Sequence, residues 1–351
     1  MFSALAVVFY YLFNKPVNRK KLLRNFIVYS AGVSSVYALA SLVLILQGAF
    51  DEFWFWCYEF PKVYVSELTL SEGVKWFYRE FKGIVGSHLF FWITGALGSI
   101  LIWFTQTDKY KKIFICLFAL FSCMTIVPGL YFSGHYWIQL LPALCLLIGV
   151  SFYFVKGLLS KFVNSKVTVS VVFGIFVIAV GRDITNQREY YFNPDYTKIL
   201  RQVYNGNPFP ESIIIADFIK ERTTKTDTIA LIGSEPQVYF YADRRCPSKH
   251  SYFEYLVFGH PKHVEWQKEF MSDIEKAMPK YMVLFFHRLS LMGDPNADME
   301  IYTRFFELAD AHYRVVGVAD MAPSGTVYVW NEDLEGFRPK GPHRILIYER
   351  K

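Results

Sequence analysis

What this 351-residue chain lacks narrows its chemistry first. Its five cysteines, Cys57, Cys116, Cys123, Cys145 and Cys246, stand at no metal-binding spacing and form no C-x-x-C pair, which sets aside cysteine-held metals and dithiol redox chemistry. There is no G-x-G-x-x-G and no Walker loop, so the turn Gly233-Ser-Glu-Pro has no nucleotide fingerprint around it. Neither a zincin pair nor a Ser-His-Asp order can be read. Such a chain is expected to hold no cofactor and no metal, and its catalytic residues stay unassigned. After Arg182 no apolar run reaches the length of a membrane span.

What is present points to a lipid bilayer. The chain is 53% hydrophobic and 19% aromatic with a mean hydropathy of +0.22. That is too apolar for one soluble domain and too charged for a protein buried in lipid throughout, so a membrane part and a soluble part are expected. The net charge of +6 would suit nucleic acid, but the basic residues gather in short links between apolar runs, which is the pattern of membrane topology. No nucleic-acid partner is expected.

Apolar runs at about 26–50, 89–104, 113–131, 137–154 and 167–181 read as spans, and 1–13 reads as the tail of another. Lys15, Arg19, Lys20, Lys21 and Arg24 follow that first run instead of preceding it. This is the wrong order for a secretion signal and leads to the expectation that the chain either begins within a larger membrane protein or has lost its upstream part. Over 71–86, Val74, Phe77, Tyr78, Phe81, Ile84 and Val85 recur at helical spacing with Lys75, Arg79, Glu80 and Lys82 between them, an amphipathic helix for the membrane surface. Ser71 is its expected cap. The short basic links at 14–25, 105–112 and 155–166 belong on the cytoplasmic side. The links 51–87 and 132–136, and everything from 182 onward, then lie outside.

The region 182–351 reads as a small extracytoplasmic α/β domain. Helices are expected over 211–222 and 299–312 and from Ser234, with strands at 228–232, 281–286, 314–318, 326–330 and 344–348. Helices alternating with short apolar strands imply a partly parallel sheet. The expected fold is therefore a multi-span α-helical membrane bundle of about six helices (1–181) followed by the α/β domain (182–351).

The candidate binding residues are those the topology gathers at the outer face. Asp51 and Glu52 open the first outer loop, His135 and Tyr136 occupy the turn 132–136, and Arg182 follows the last span. An ionisable group at a membrane edge is a functional candidate by default. Gln139, four residues after His135, is expected on the same helix face. For each the plain alternative is a membrane-boundary role: an aromatic belt for Tyr136 and Trp137, and solvated helix ends for Asp51, Glu52 and Arg182. Arg and His at that depth suit a lipid-linked phosphate, through charge-assisted hydrogen bonds.

Four stretches carry a resemblance: GHYWIQLLPAL from Gly134, DEFWFW from Asp51, IIADFI from Ile214, and DTIALIGSEPQVYF from Asp227. Together they make most of the chain resemble the C-terminal portion of bacterial membrane glycosyltransferases of the GT-C type, the family of protein mannosyltransferase-like enzymes related to aminoarabinose transferase. The resemblance implies a multi-pass protein of the bacterial inner (plasma) membrane with its α/β domain outside. It also implies a polyprenyl-phosphate sugar donor, with a glycan, lipid or protein as acceptor. His135 and Tyr136 would face the donor. The family's catalytic carboxylate sits in an outer loop that would precede Met1, and that role is not carried to Asp51 or Glu52. The alternative is a non-catalytic membrane protein presenting the α/β domain for binding. A transporter, which would want mid-span charges or broken helices, fits least.

Overall fold

The computed structural model describes residues 19–204, 206–291 and 300–351, and the run expected at 1–13 lies outside them. The chain divides into two compact units, the first ending at Tyr191 and the second starting at Phe192.

The first unit is helical: α1 (Arg19–Leu46), α2 (Leu70–Ser87), α3 (Leu89–Leu101), α4 (Lys109–Met124), α5 (Leu141–Leu159) and α6 (Ser165–Asn186). Between α1 and α2 the aromatic stretch forms short helical turns, Phe50–Trp54, Phe55–Glu59 and Phe60–Ser66, the middle one a π-helix. By length and composition three stretches of the described residues can cross a membrane: Leu23–Leu46, Gly134–Leu159 and Ser165–Asn186. A fourth exists if α2 and α3, bent by 101° at their junction, count as one broken span with the turn after α3.

The expected span over 113–131 is not a continuous helix. α4 has 16 residues and rises about 24 Å, short of the roughly 30 Å of hydrocarbon. Pro128, which has no N–H and disfavours helical backbone at the residue before it, and Gly129 at φ +78° hold the following segment out of helix. Asp108 caps α4 by accepting from the N–H of Tyr110 at 2.9 Å. The cap of α2 is Thr69 and not Ser71: Thr69 and Glu72 form a reciprocal capping box, the Glu72 carboxylate taking the Thr69 N–H at 2.9 Å. Ser71 falls inside the first turn.

α3 and α5 lie against each other through small residues. A Cβ on Gly98 would stand 2.0 Å from the Leu147 carbonyl oxygen, and one on Gly95 2.3 Å from Leu144 Cδ1. The Ser151 hydroxyl donates across the same contact to the Thr94 carbonyl at 2.7 Å. Close backbone approach with a polar tie is how helices associate where the surroundings are as apolar as the side chains.

The second unit is a three-layer α/β fold. In chain order it holds α7 (Tyr196–Tyr204), α8 (Phe209–Glu221), β1 (Ile229–Ile232), α9 (Gln237–Ala242), α10 (His263–Ala277), β2 (Tyr281–Phe286), α11 (Glu300–His312), β3 (Tyr313–Ala322), β4 (Gly325–Trp330) and β5 (His343–Arg350). The sheet order is β1-β2-β5-β3-β4. β1 and β2 are parallel and the other pairs antiparallel, which makes the sheet mixed.

Because successive strand residues face opposite sides, Leu231, Val283 and Ile345 pack with Ile215 and Ile219 of α8 on one face. Ile232, Met282 and Leu284 pack with Phe270 of α10 and Phe305 of α11 on the other. A bulge in β3 between Val315 and Gly317 lets the Trp330 ring sit where a Gly317 Cβ would be, 2.4 Å away. Pro236, not Ser234, precedes α9, with no side-chain cap. The Ser234 hydroxyl is buried without a hydrogen-bond partner among the described residues.

The strand directions bring the ends of β1, β2 and β3 and the starts of β4 and β5 to one edge of the sheet. Three features shape that edge. Asp320, buried, accepts the backbone N–H groups of Lys340 at 2.8 Å and Gly341 at 2.9 Å. Gly341 is required there, since a Cβ would meet the Met321 carbonyl oxygen at 2.3 Å. Glu235, just past β1, accepts from the Ser290 hydroxyl, and its carboxyl is buried.

Candidate functional site

The chain leaves α4 through 125–133, a segment with two non-glycine residues in the left-handed region, Leu130 at φ +58° and Phe132 at φ +49°. Each such residue costs about 1–3 kcal/mol that its surroundings must offset. The offsets are visible. Leu130 fits against α2 only because position 73 is glycine, where a Cβ would stand 2.7 Å from Leu130 Cβ. Phe132 is buried, stacks edge-on to Phe77 at 5.0 Å, and its carbonyl accepts the Trp137 indole N–H at 2.9 Å. Trp137, 4% exposed, meets Trp92 edge-on at 5.6 Å and lies 6.2 Å from Phe77. An aromatic wedge thus fixes the corner.

After Ser133 the residues Gly134–Leu140 form a 3-10 helix. Three residues per turn place i and i+3 above one another, and the burial follows: Trp137 and Leu140 are buried, whereas His135, Ile138 and Gln139 are exposed. Gln139 therefore does not share the face of His135, and Ile138 does. The α-helical spacing that joined His135 to Gln139 fails because the backbone is wound more tightly there. The His135 ring lies 4.4 Å from that of Tyr136, and the Tyr136 hydroxyl is 3.0 Å from that of Tyr64. Tyr64 stacks on Tyr131 at 4.8 Å, and Tyr131 donates to the Glu67 carboxylate.

Asp51 and Glu52 stand exposed in the first turn of Phe50–Trp54, and Arg182 is exposed on α6. No hydrogen bond or ion pair among the described residues joins these three to His135, Tyr136 or Gln139. The structure brings His135 and Tyr136 together and leaves the rest apart.

What it does assemble is a cavity of about 650 Å³ beside the corner, walled by Trp92, Trp137, Leu141, Leu144, Ile148 and Phe176 among others. Gly134 and Ile138 reach its wall and His135 does not. Its polar group is His88, the residue at the bend between α2 and α3, whose Nδ1 is 2.5 Å from Asp183 Oδ2 of α6. Asp183 orients the ring and fixes which nitrogen faces the carboxylate, leaving Nε2 to meet another group. Sequence reasoning missed this pair. The membrane-edge rule that selected His135 applies equally to His88, which stands between an amphipathic helix and an apolar run, but its partner is 95 positions away. No group of three or more His, Cys, Asp or Glu suited to a metal exists among the described residues.

Compared with protein-family models and with curated proteins, the chain finds no match.

Proposed function

We propose that the chain is a multi-pass membrane glycosyltransferase that takes a sugar from a polyprenyl-phosphate donor. The observation that carries this reading is the cavity between the corner, α3, α5 and α6, apolar along its wall and with the His88–Asp183 pair on it. An isoprenoid phosphate needs both features: a channel of aliphatic and aromatic side chains for its chain and a hydrogen-bond donor for its phosphate. His88 supplies the donor through Nε2, held in place by Asp183, and acts as a donor-binding residue. His135 and Tyr136 border the same corner, on the side where the basic links at 105–112 and 155–166 place the outer leaflet. In this reading the α/β unit is extracytoplasmic, the membrane is the bacterial inner membrane, and the acceptor is a glycan, lipid or protein.

The test uses the full chain in lipid nanodiscs with a photo-crosslinking polyprenyl phosphate. Labelled peptides should map to α3 and α5, and both Leu141→Trp, which narrows the cavity from an exposed position on its wall, and His88→Ala should lower labelling about tenfold. Labelling that Leu141→Trp leaves unchanged would place the lipid elsewhere and end this reading.

A further inference from the structure

The shared edge of the sheet in the second unit carries a recess of about 870 Å³, within the roughly 300–1,000 Å³ of small-molecule sites. Glu211, in the first turn of α8, forms part of its wall and is fully buried. One carboxylate oxygen, Oε1, accepts from the Arg201 guanidinium of α7 and from the Thr326 hydroxyl of β4. The other, Oε2, is buried and has no hydrogen-bond partner among the described residues. A buried acceptor without a donor is costly, and a carboxylate can only accept. What completes this wall is therefore a hydrogen-bond donor.

The charge of the recess limits what that donor belongs to. Arg201 and Glu211 cancel. Burial, followed by the neighbouring His343 and Arg201, pushes the His287 imidazole down to about 4, so it is neutral at pH 7. An anion would meet the Glu211 carboxylate, and a cation would meet Arg201. Hydroxyls of Thr197, Thr326 and Tyr328 add groups that donate and accept, and Tyr196 and Tyr328 add aromatic rings. A ligand rich in hydroxyl groups, uncharged, with C–H faces to lay on aromatic rings, satisfies each of these requirements.

From the unpartnered Glu211 oxygen, the internal charge balance and the tyrosine-lined wall we infer that the α/β unit binds a neutral saccharide in this recess. The inference goes beyond the transferase reading, since a membrane protein without transfer chemistry would keep this site.

The experiment incubates the full chain in nanodiscs, without any lipid-linked sugar, on an immobilised panel of neutral gluco-, manno-, galacto-, rhamno- and chito-oligosaccharides, with sialylated and sulfated glycans beside them. Binding to at least one neutral series is expected. Ser324→Trp, at the exposed tip of the β3–β4 turn on the recess rim, should abolish it without touching the core. Glu211→Gln should weaken it about tenfold, with thermal melting recorded to show that each variant folds. No binding to any neutral series, binding confined to the charged glycans, or binding unaffected by Ser324→Trp would each overturn the inference. Lipid labelling reports on the first unit alone, so either proposal can fail while the other stands.

Discussion

The two units use the same apolar residue types in opposite ways. In the second, Ile215, Ile219, Leu231, Val283 and Phe305 are at most 2% exposed and enclosed between sheet and helices. In the first, α1 and α6 carry large apolar side chains outward: Phe26 is 54% exposed, Val36 67% and Ile178 72%. A soluble domain with that surface would aggregate, whereas hydrocarbon accepts it. The difference also sets what holds each unit together. Where water is the alternative, burying a large side chain drives packing. Where lipid is the alternative, burial gains little, and close-fitting glycines and interhelical hydrogen bonds take over.

That contrast breaks hardest at Gly98. Gly98→Leu would place its side chain on the Leu147 carbonyl, forcing α3 and α5 apart. The expected outcome is loss of the folded first unit in detergent, read by proteolysis and size-exclusion chromatography, with a protease-resistant second unit remaining. A well-folded Gly98→Leu protein would mean that helix contact in the first unit does not depend on backbone approach. Next in size is a matched pair of truncations. Phe305→Ala, in the closed core, should destabilise the second unit by about 3–5 kcal/mol. Ile178→Ala, facing outward on α6, should change the stability of the first by less than about 0.5 kcal/mol. Urea unfolding in nanodiscs, followed separately for each unit, compares them, and equal losses would erase the distinction.

The remaining prediction is one of pH and belongs to the second unit alone. Burial raises the Glu235 carboxyl to about 8, against a partial opposing effect from the Ser290 hydroxyl. Below about 4.5 both folded and unfolded chains carry the proton, so there is no penalty. Between about 4.5 and 8 the unfolded chain ionises and the folded one does not, so stability falls as pH rises. Glu235→Gln should therefore leave melting unchanged at pH 4 and raise it at pH 8, by on the order of a few kcal/mol at most. A melting difference independent of pH would show that the carboxyl does not titrate in this way.

How much of this was legible in the sequence depended on the distance over which each feature is decided. The strands of the second unit announce themselves because runs such as Ile229–Ile232 and Tyr281–Phe286 are apolar over the length of a strand, bounded by polar residues. α10 was overlooked, since its buried stripe of Phe270, Met271 and Ile274 includes the polar Gln267, which dilutes the periodicity. Caps were misplaced by two residues where neighbouring hydroxyls compete, as Ser71 does with Thr69. The hydropathy of 113–131 runs on unbroken, but the backbone does not, because Pro128 and Gly129 act on conformation and not on polarity. At the candidate site the corner at 132–136 was found because an ionisable residue, His135, falls in a short turn between two apolar runs. His88–Asp183 and Arg201–Glu211–Thr326 were not, because their members sit on separate elements and only the folded chain makes them neighbours.

The Asp320 carboxylate is anchored to two consecutive backbone amides, those of Lys340 and Gly341. Pro342 and His343, which line the recess, follow directly. This stretch is thus tied to the sheet edge by the same events that fold the domain, and its loss of conformational freedom occurs then. A molecule entering the recess meets a wall already in place, so association there carries little further ordering cost and its rate is set by encounter and not by loop rearrangement.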